Sequence, residues 1–168
     1  MTSLTHQPAQ TKLPVGTWRV DPVHSTIGFS APWSDGVTIV DGRFTDFEGT
    51  LELAEDGGRA YGTIKTASVI TQNEQRDAHL RSPDFFDVEN APEIAFASTR
   101  VEPTDGGILV AGKLKIREVV FEVELPLALR GPANDAYGNE RIAVDGTSTI
   151  EWADDSITLV VKLSAVRA

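Results

Sequence analysis

The sequence predicts an all-β protein, an eight-stranded antiparallel up-and-down barrel with one short helix between the third and fourth strands. Three observations support this fold. Apolar and polar residues alternate with a period of two in eight stretches after Gly16. Turns rich in glycine and aspartate separate most of these stretches, which indicates hairpins and therefore antiparallel pairing. Strands in series favour a closed barrel over a sandwich, because closure leaves no edge strand exposed.

Three predicted strands precede the helix, and they are His24–Ala31, Val37–Ala54 and Arg59–Thr71. Within the second strand, the apolar positions change from even to odd numbers between Phe44 and Phe47. One extra residue in a strand reverses which side chains face inward. The change therefore predicts a β-bulge near Thr45 and Asp46.

The segment Thr71–Asp87 is the only stretch that predicts a helix. Thr71 or Asn73 can cap its start, and Pro83 prevents its continuation. A short helix at this position, between the third and fourth strands, is expected to lie across the barrel or its opening.

Five predicted strands follow the helix. They are Glu93–Thr104, Gly107–Arg117, Val119–Arg130, Glu140–Trp152 and Ile157–Val166. The clearest alternation lies in the sixth strand overall, where valine, phenylalanine and leucine occupy the odd positions from Val119 to Leu129. An eight-stranded barrel of this kind is filled by side chains or holds one small ligand.

Composition bounds the function. A net charge of −10 over 168 residues, with no basic patch, argues against nucleic acid and against docking on an anionic membrane. There is no cysteine, so disulfides and thiolate chemistry are excluded. We expect a flexible arm at residues 1–14 and one barrel domain at residues 15–168. The polar start lacks a signal-peptide pattern and no apolar run could insert into a membrane, so we expect a cytoplasmic protein.

Four segments carry multi-residue patterns in a fixed order: Trp18–Phe29 (WRVDPVHSTIGF), Val40–Gly49 (VDGRFTDFEG), Thr71–Asp87 (TQNEQRDAHLRSPDFFD) and Pro92–Ser98 (PEIAFAS). Together they resemble the YceI family of lipocalin-like polyisoprenoid-binding proteins, over roughly residues 16–117. One departure is Glu118, which stands where members usually carry glycine. The resemblance implies a lipocalin-like barrel around a long apolar chain, such as a polyprenyl or quinone tail, and makes a homodimer plausible.

From the phenylalanines, the helix and this resemblance, we expect a set of ligand-binding residues inside the barrel and at its opening. They are Phe29, Phe44, Phe47, Ile64, Arg76, His79, Leu80, Phe85, Phe86, Phe96, Leu114 and Phe121. The resemblance implies no catalytic residue, and we expect neither a metal ion nor a cofactor.

The polar residues of the helix leave several interpretations open. His79 could act as a general base oriented by Asp77. Alternatively, Arg76 and Asp77 could tie the helix to the barrel by charged hydrogen bonds. A third interpretation places Arg76 or His79 at the opening, in contact with a polar head group. His24 and Ser25 are neighbours on a strand and face opposite ways, which disfavours a nucleophile pair.

Three functions remain for such a barrel. The first is a binding protein that sequesters or carries one amphiphilic isoprenoid-like lipid. The second is an enzyme, a cyclase or isomerase that folds a small apolar substrate by positioning alone. The third is a filled barrel without a ligand. A long apolar tunnel would favour the carrier, a compact pocket with converging charged groups the enzyme, and a packed interior the filled barrel.

Overall fold

The computed structural model describes residues 12–152 and 154–168. Its one α-helix in these residues is α1, Glu74–Arg81. Its strands are β1 (Gly16–Val20), β2 (Thr26–Trp33), β3 (Thr38–Phe44), β4 (Phe47–Ala54), β5 (Gly57–Lys65), β6 (Val69–Ile70), β7 (Glu93–Thr104), β8 (Gly107–Ile116), β9 (Val119–Asn134), β10 (Glu140–Trp152) and β11 (Asp155–Arg167).

The eleven described strands occupy eight positions of one closed barrel. In sheet order the barrel runs β1-β4-β5-β7-β8-β9-β10-β11, and β11 pairs with β1 to close it. The strands β2, β3 and β6 extend three of these positions. β2 continues β1 and pairs with β11, β3 continues β4 and pairs with β2, and β6 continues β5 and pairs with β3. Every pairing is antiparallel, which confirms the predicted eight-stranded up-and-down barrel.

Three short interruptions divide the first three positions. A 3₁₀ turn at Pro22–His24 separates β1 from β2, and another at Thr66–Ser68 separates β5 from β6. The predicted strand Arg59–Thr71 is therefore divided into β5 and β6. The predicted first strand, His24–Ala31, corresponds to β2, and the prediction did not include β1. The predicted strand Val37–Ala54, with a β-bulge near Thr45 and Asp46, is instead divided into β3 and β4. The break lies at Thr45 and Asp46, whose backbone N–H groups both donate to the Ser68 hydroxyl, at 3.1 and 3.0 Å.

The connection from β6 to β7, residues 71–91, is called the helical segment below. The Asn73 side chain accepts a hydrogen bond from the Arg76 backbone N–H at 2.9 Å and caps α1, which is one of the two predicted caps. Near the end of the helix, Arg81 donates to the backbone oxygens of Ala67 and Val69 at 2.9 and 3.0 Å. These bonds fasten the helix along the β5–β6 interruption.

A second arginine fastens the far part of the helical segment to the turn between β8 and β9. Arg117 donates to the backbone oxygens of Pro83 and Phe85 at 3.2 and 3.1 Å. Its own backbone has the positive φ of this turn, 57°. The left-handed backbone conformation of this turn is at Arg117 and not at Glu118. Position 118 therefore does not need the conformational freedom of a glycine.

Two apolar clusters fill the barrel wall and its lower end, where β1 begins and β11 ends. The lower cluster is built around Trp18, which is fully buried and donates from Nε1 to the Pro14 oxygen at 2.9 Å. Leu13 is also buried there, so the packed part of the chain reaches two residues before the predicted domain start. Residues 1–11 of the predicted arm lie outside the described residues.

Candidate functional site

The barrel interior holds a cavity of about 550 Å³ above the lower cluster. Residues at the end of β2, at the end of β10, at the start of β11 and in the helical segment line one end of it, and we call this end the mouth. Its walls are formed largely by leucine, isoleucine, valine and phenylalanine side chains from the inward positions of the strands. This volume lies within the roughly 300–1,000 Å³ that is usual for ligand pockets.

Inward-facing side chains on β11 are only partly buried, although they point away from bulk solvent. Ile157, Leu159, Val161 and Leu163 line the cavity, and each has intermediate exposure. Ile157, Leu159 and Leu163 also pack against the apolar clusters, but part of their apolar surface faces the open volume. Covering such surface is favourable by about 25 cal/mol per Å², which gives an apolar ligand a reason to bind.

The predicted ligand-binding residues come together around this cavity with one exception. Those that line it are Phe29, Phe44, Phe47, Ile64, Arg76, His79, Leu80, Phe85, Phe86, Phe96 and Leu114. Phe121 does not line it. Its ring packs instead against the ring of Trp152, which does line the cavity, with centroids 6.0 Å apart. Whether these residues bind a ligand stays a prediction.

An aromatic cluster stands near the mouth, and Phe86 is at its centre. The Phe86 ring lies 5.7 Å from Phe44, 6.5 Å from Phe29 and 5.5 Å from Trp152, each in an edge-to-face arrangement. Such pairs add about 0.5–1.5 kcal/mol to the burial of the rings. The helical segment thus inserts one phenylalanine into the barrel, while its neighbour Phe85 stays at the rim, 39% exposed.

Charged side chains lie at the rim of the cavity. Arg76 is held there by its own hydrogen bonds, from Nε to the Thr71 hydroxyl at 2.7 Å and from a terminal nitrogen to the Thr71 backbone oxygen at 2.6 Å. His79 contacts Asp84 at 3.2 Å and packs edge-on against Phe85. The rim therefore offers a fixed cation and a histidine–carboxylate pair to the polar end of a ligand.

Asp77 does not orient His79. Its carboxylate is buried and accepts two hydrogen bonds from Thr71, from the backbone N–H at 2.7 Å and from the hydroxyl at 2.6 Å. The partner of His79 is the exposed Asp84. Of the open interpretations, this geometry matches the one in which Asp77 ties the helix to the end of β6, and the proposed base–orienter pair is absent.

His24 and Ser25 also have separate partners. His24 contacts the Asp21 carboxylate at 2.6 Å, whereas the Ser25 hydroxyl donates to the Ser164 oxygen and accepts from the Ser164 N–H. The hydrogen bond with His24, helped by others from Arg141 and a backbone N–H, lowers the pKa of Asp21, against the opposing effect of burial. The pair therefore has a structural role beside the 3₁₀ turn.

Among the described residues, no three histidine or carboxylate side chains converge closely enough to hold a metal ion. Across residues 12–152 and 154–168, no helix has the length and apolar character needed to cross a bilayer.

Sequence reasoning missed a large part of the cavity wall. The clearest omissions are Trp152 and the inward residues of β11, all of which line the cavity. Their signal was present, since the period-two pattern already placed the apolar residues of the last strand inward. The phenylalanines and the helix are more conspicuous in the sequence than the aliphatic residues that form the opposite wall.

Comparisons with known proteins agree with this geometry. A YceI-like domain profile matches residues 18–165. A UPF0312 protein of Pseudomonas paraeruginosa is 33% identical over 127 residues, which are 74% of this chain and 66% of that protein. The match therefore spans just under two thirds of the relative's length.

Two solved structures share the fold. BcnA of Burkholderia cenocepacia superposes with a TM-score of 0.74 at 20% identity, over 86% of this chain and 98% of BcnA. A polyisoprenoid binding domain from Saccharophagus degradans, implicated in plant cell wall breakdown, superposes with a TM-score of 0.67 at 16% identity, over 92% of this chain and 100% of that domain. With the profile match over most of its length, the chain belongs to the YceI family.

Proposed function

We propose that this protein binds one amphiphilic isoprenoid-like lipid inside the barrel and sequesters or carries it. The apolar tail, a polyprenyl or quinone tail, lies in the cavity, and the polar head lies at the mouth near Arg76 and His79. The observation that carries this proposal is the cavity itself: about 550 Å³, walled largely by apolar side chains, with Arg76, His79 and Asp84 of the helical segment among the residues that line it.

The arrangement of polar groups favours a carrier over an enzyme. A cyclase or isomerase that acts on a charged intermediate needs acids, bases or carboxylates that converge on the reacting atoms. Along the inward faces described here, the walls are aliphatic and aromatic, and Asp77 is committed to Thr71. A filled barrel is disfavoured as well, because the half-buried residues of β11 face open space.

The likeness to the Saccharophagus degradans domain, which is named as a polyisoprenoid binding domain, supports the choice of ligand class. An isoprenoid tail is branched and flexible, so it can follow an irregular cavity wall. Apolar burial is the driving force, reduced by the cost of ordering the tail. The fixed guanidinium of Arg76 can donate a hydrogen bond to a phosphate, carboxylate or quinone oxygen.

The experiment is calorimetric titration with farnesol, a small isoprenoid alcohol, into the protein and two tryptophan variants. Val161→Trp places an indole in the cavity, whereas Lys162→Trp places it on the outer face of the same strand. We expect the wild type and the Lys162 variant to bind with a negative heat-capacity change, and the Val161 variant to lose binding at least tenfold. Equal binding by both variants would show that the ligand lies elsewhere.

The cytoplasmic location and the homodimer also belong to this proposal. Cell fractionation with an antibody against the protein tests the location. Light scattering at several protein concentrations tests the homodimer, since a monomer of 18.1 kDa and a dimer differ twofold in mass.

A further inference from the structure

The floor of the cavity is defined by residues on six strands. The lowest residues that line it are Val20, Leu51, Val110, Leu127, Val144 and Leu163. On each of these strands, the next inward residue toward the lower end belongs to or packs against the lower cluster and does not line the cavity. Those residues are Trp18, Leu53, Ile108, Leu129, Ile142 and Ala165.

The lower cluster is closely packed beneath this floor. Trp18 and Ile108 are 0% exposed, Ala165 is 1% exposed and Ile142 is 2% exposed. The Arg167 guanidinium lies over the face of the Trp18 ring, 4.3 Å from the ring centroid, and Leu13 adds a further buried side chain. The cavity therefore ends blindly within the described part of the barrel, and a ligand tail that enters at the mouth has a fixed length available.

The volume sets that length. If a methylene group takes about the volume of one liquid water molecule, roughly 30 Å³, a cavity of about 550 Å³ holds about twenty carbon atoms. The depth agrees with this capacity. On β11 the lining runs from Asp155 to Leu163, which is about 26 Å along a strand and about 20 Å along the barrel axis after the usual tilt.

We propose that the floor selects short isoprenoid tails of about four five-carbon units, and that Leu51 is one of the residues that set this limit. The inference rests on the proposed function and refines its ligand class. A longer polyprenyl tail cannot pass the floor, so its additional units stay outside the mouth in water. Those units gain no burial in the barrel and add nothing to the affinity.

Two neighbouring leucines on β4 provide a matched test. Leu51 and Leu53 are 4% and 5% exposed, both face inward, and both belong to the lower cluster, but only Leu51 borders the cavity. Leu51→Ala extends the cavity toward Trp18. Leu53→Ala removes the same atoms one level lower and leaves a void that is separate from the cavity. Because the two substitutions are chemically identical, the comparison isolates the position of the void.

The assay is displacement of a fluorescent fatty-acid probe by isoprenoid alcohols of 10, 15, 20, 25 and 40 carbons, delivered in cyclodextrin. For the wild type we expect affinity to rise about tenfold or more per unit up to about 20 carbons, and then to change less than threefold. Leu51→Ala should gain severalfold for the 25-carbon alcohol over the 20-carbon one. Leu53→Ala should keep the wild-type plateau, with circular dichroism confirming that both variants fold.

The outcomes separate the two proposals. A wild-type affinity that still rises between 20 and 40 carbons would overturn the length limit and leave lipid binding intact. An identical shift in the Leu51 and Leu53 variants would overturn the assignment of the limit to the floor. If no alcohol of the series displaces the probe or binds in direct titration, the proposed function fails, and the length limit fails with it.

Discussion

Asp77→Ala tests whether the charged residues of the helical segment are structural. The buried carboxylate of Asp77 accepts hydrogen bonds of 2.7 and 2.6 Å from the backbone N–H and hydroxyl of Thr71, which is itself 5% exposed. Hydrogen bonds to a charged group contribute about 1.5–3 kcal/mol each. Removing the acceptor leaves two buried donors unpaired, so we expect the free energy of unfolding to fall by about 3–5 kcal/mol.

Two companion variants sharpen this expectation. Asp77→Asn keeps an oxygen that can accept from Thr71 and loses only the charge, so it should cost about 1 kcal/mol. Asp84→Ala removes a carboxylate from the same segment, but that side chain is 76% exposed and its contact with His79 is in water. Exposed ion pairs contribute about 0–1 kcal/mol, so this control should leave stability nearly unchanged.

The assay is urea unfolding followed by far-ultraviolet circular dichroism, with limited proteolysis to detect local opening of residues 71–91. The Asp77→Ala protein should show both a lower midpoint and faster cleavage within the helical segment. A loss below about 1 kcal/mol for Asp77→Ala, or an equal loss for Asp84→Ala, would refute the structural role of this carboxylate.

Three further predictions concern other parts of the barrel. Phe86→Ala should lower the free energy of unfolding by about 3–5 kcal/mol in urea titrations, because it removes the centre of the aromatic cluster; a loss below about 1 kcal/mol would contradict that role. The lowered pKa of Asp21 contributes stability that is present above pH 4 and is lost as the pH falls through the pKa of the folded state. Asp21→Asn should therefore flatten the acid side of a plot of melting temperature against pH. An unchanged slope would contradict this prediction. Gly62→Ala should lower the melting temperature strongly, because the new Cβ would lie 2.4 Å from a backbone oxygen of the neighbouring strand. Gly49→Ala should lower it little, because its Cβ would lie 3.2 Å from a valine methyl group that can move. Equal melting temperatures for the two variants would contradict this prediction.

Much of the barrel follows from the period of its apolar residues. Alternation decides which side chains face inward, and a change of parity marks an interruption; both hold at Phe44 and Phe47, which are buried on either side of the break. The helix start was also predictable, because asparagine in front of a polar helix satisfies free N–H groups. These features depend on neighbours close in sequence.

Features that depend on distant contacts were not predictable. The 3₁₀ turn at Thr66–Ser68 breaks a continuous apolar pattern, and it is stabilised by the Thr66 hydroxyl donating to the Ala91 oxygen, 25 residues away. The pairing of His79 with Asp84 depends on the turn after α1, which no periodicity describes. Trp152 borders the cavity and Phe121 does not for the same reason: both face inward, and only the packing of two strands decides which one reaches the cavity.

The account depends most directly on a lipid in the barrel. Native mass spectrometry of gently purified protein, followed by organic extraction and lipid analysis, tests it. We expect a complex of one chain with one lipid, and an extract that contains an isoprenoid or quinone with an amount close to that of the protein. A protein that is empty as purified, and that binds neither isoprenoid alcohols nor quinones when they are added, would contradict the account.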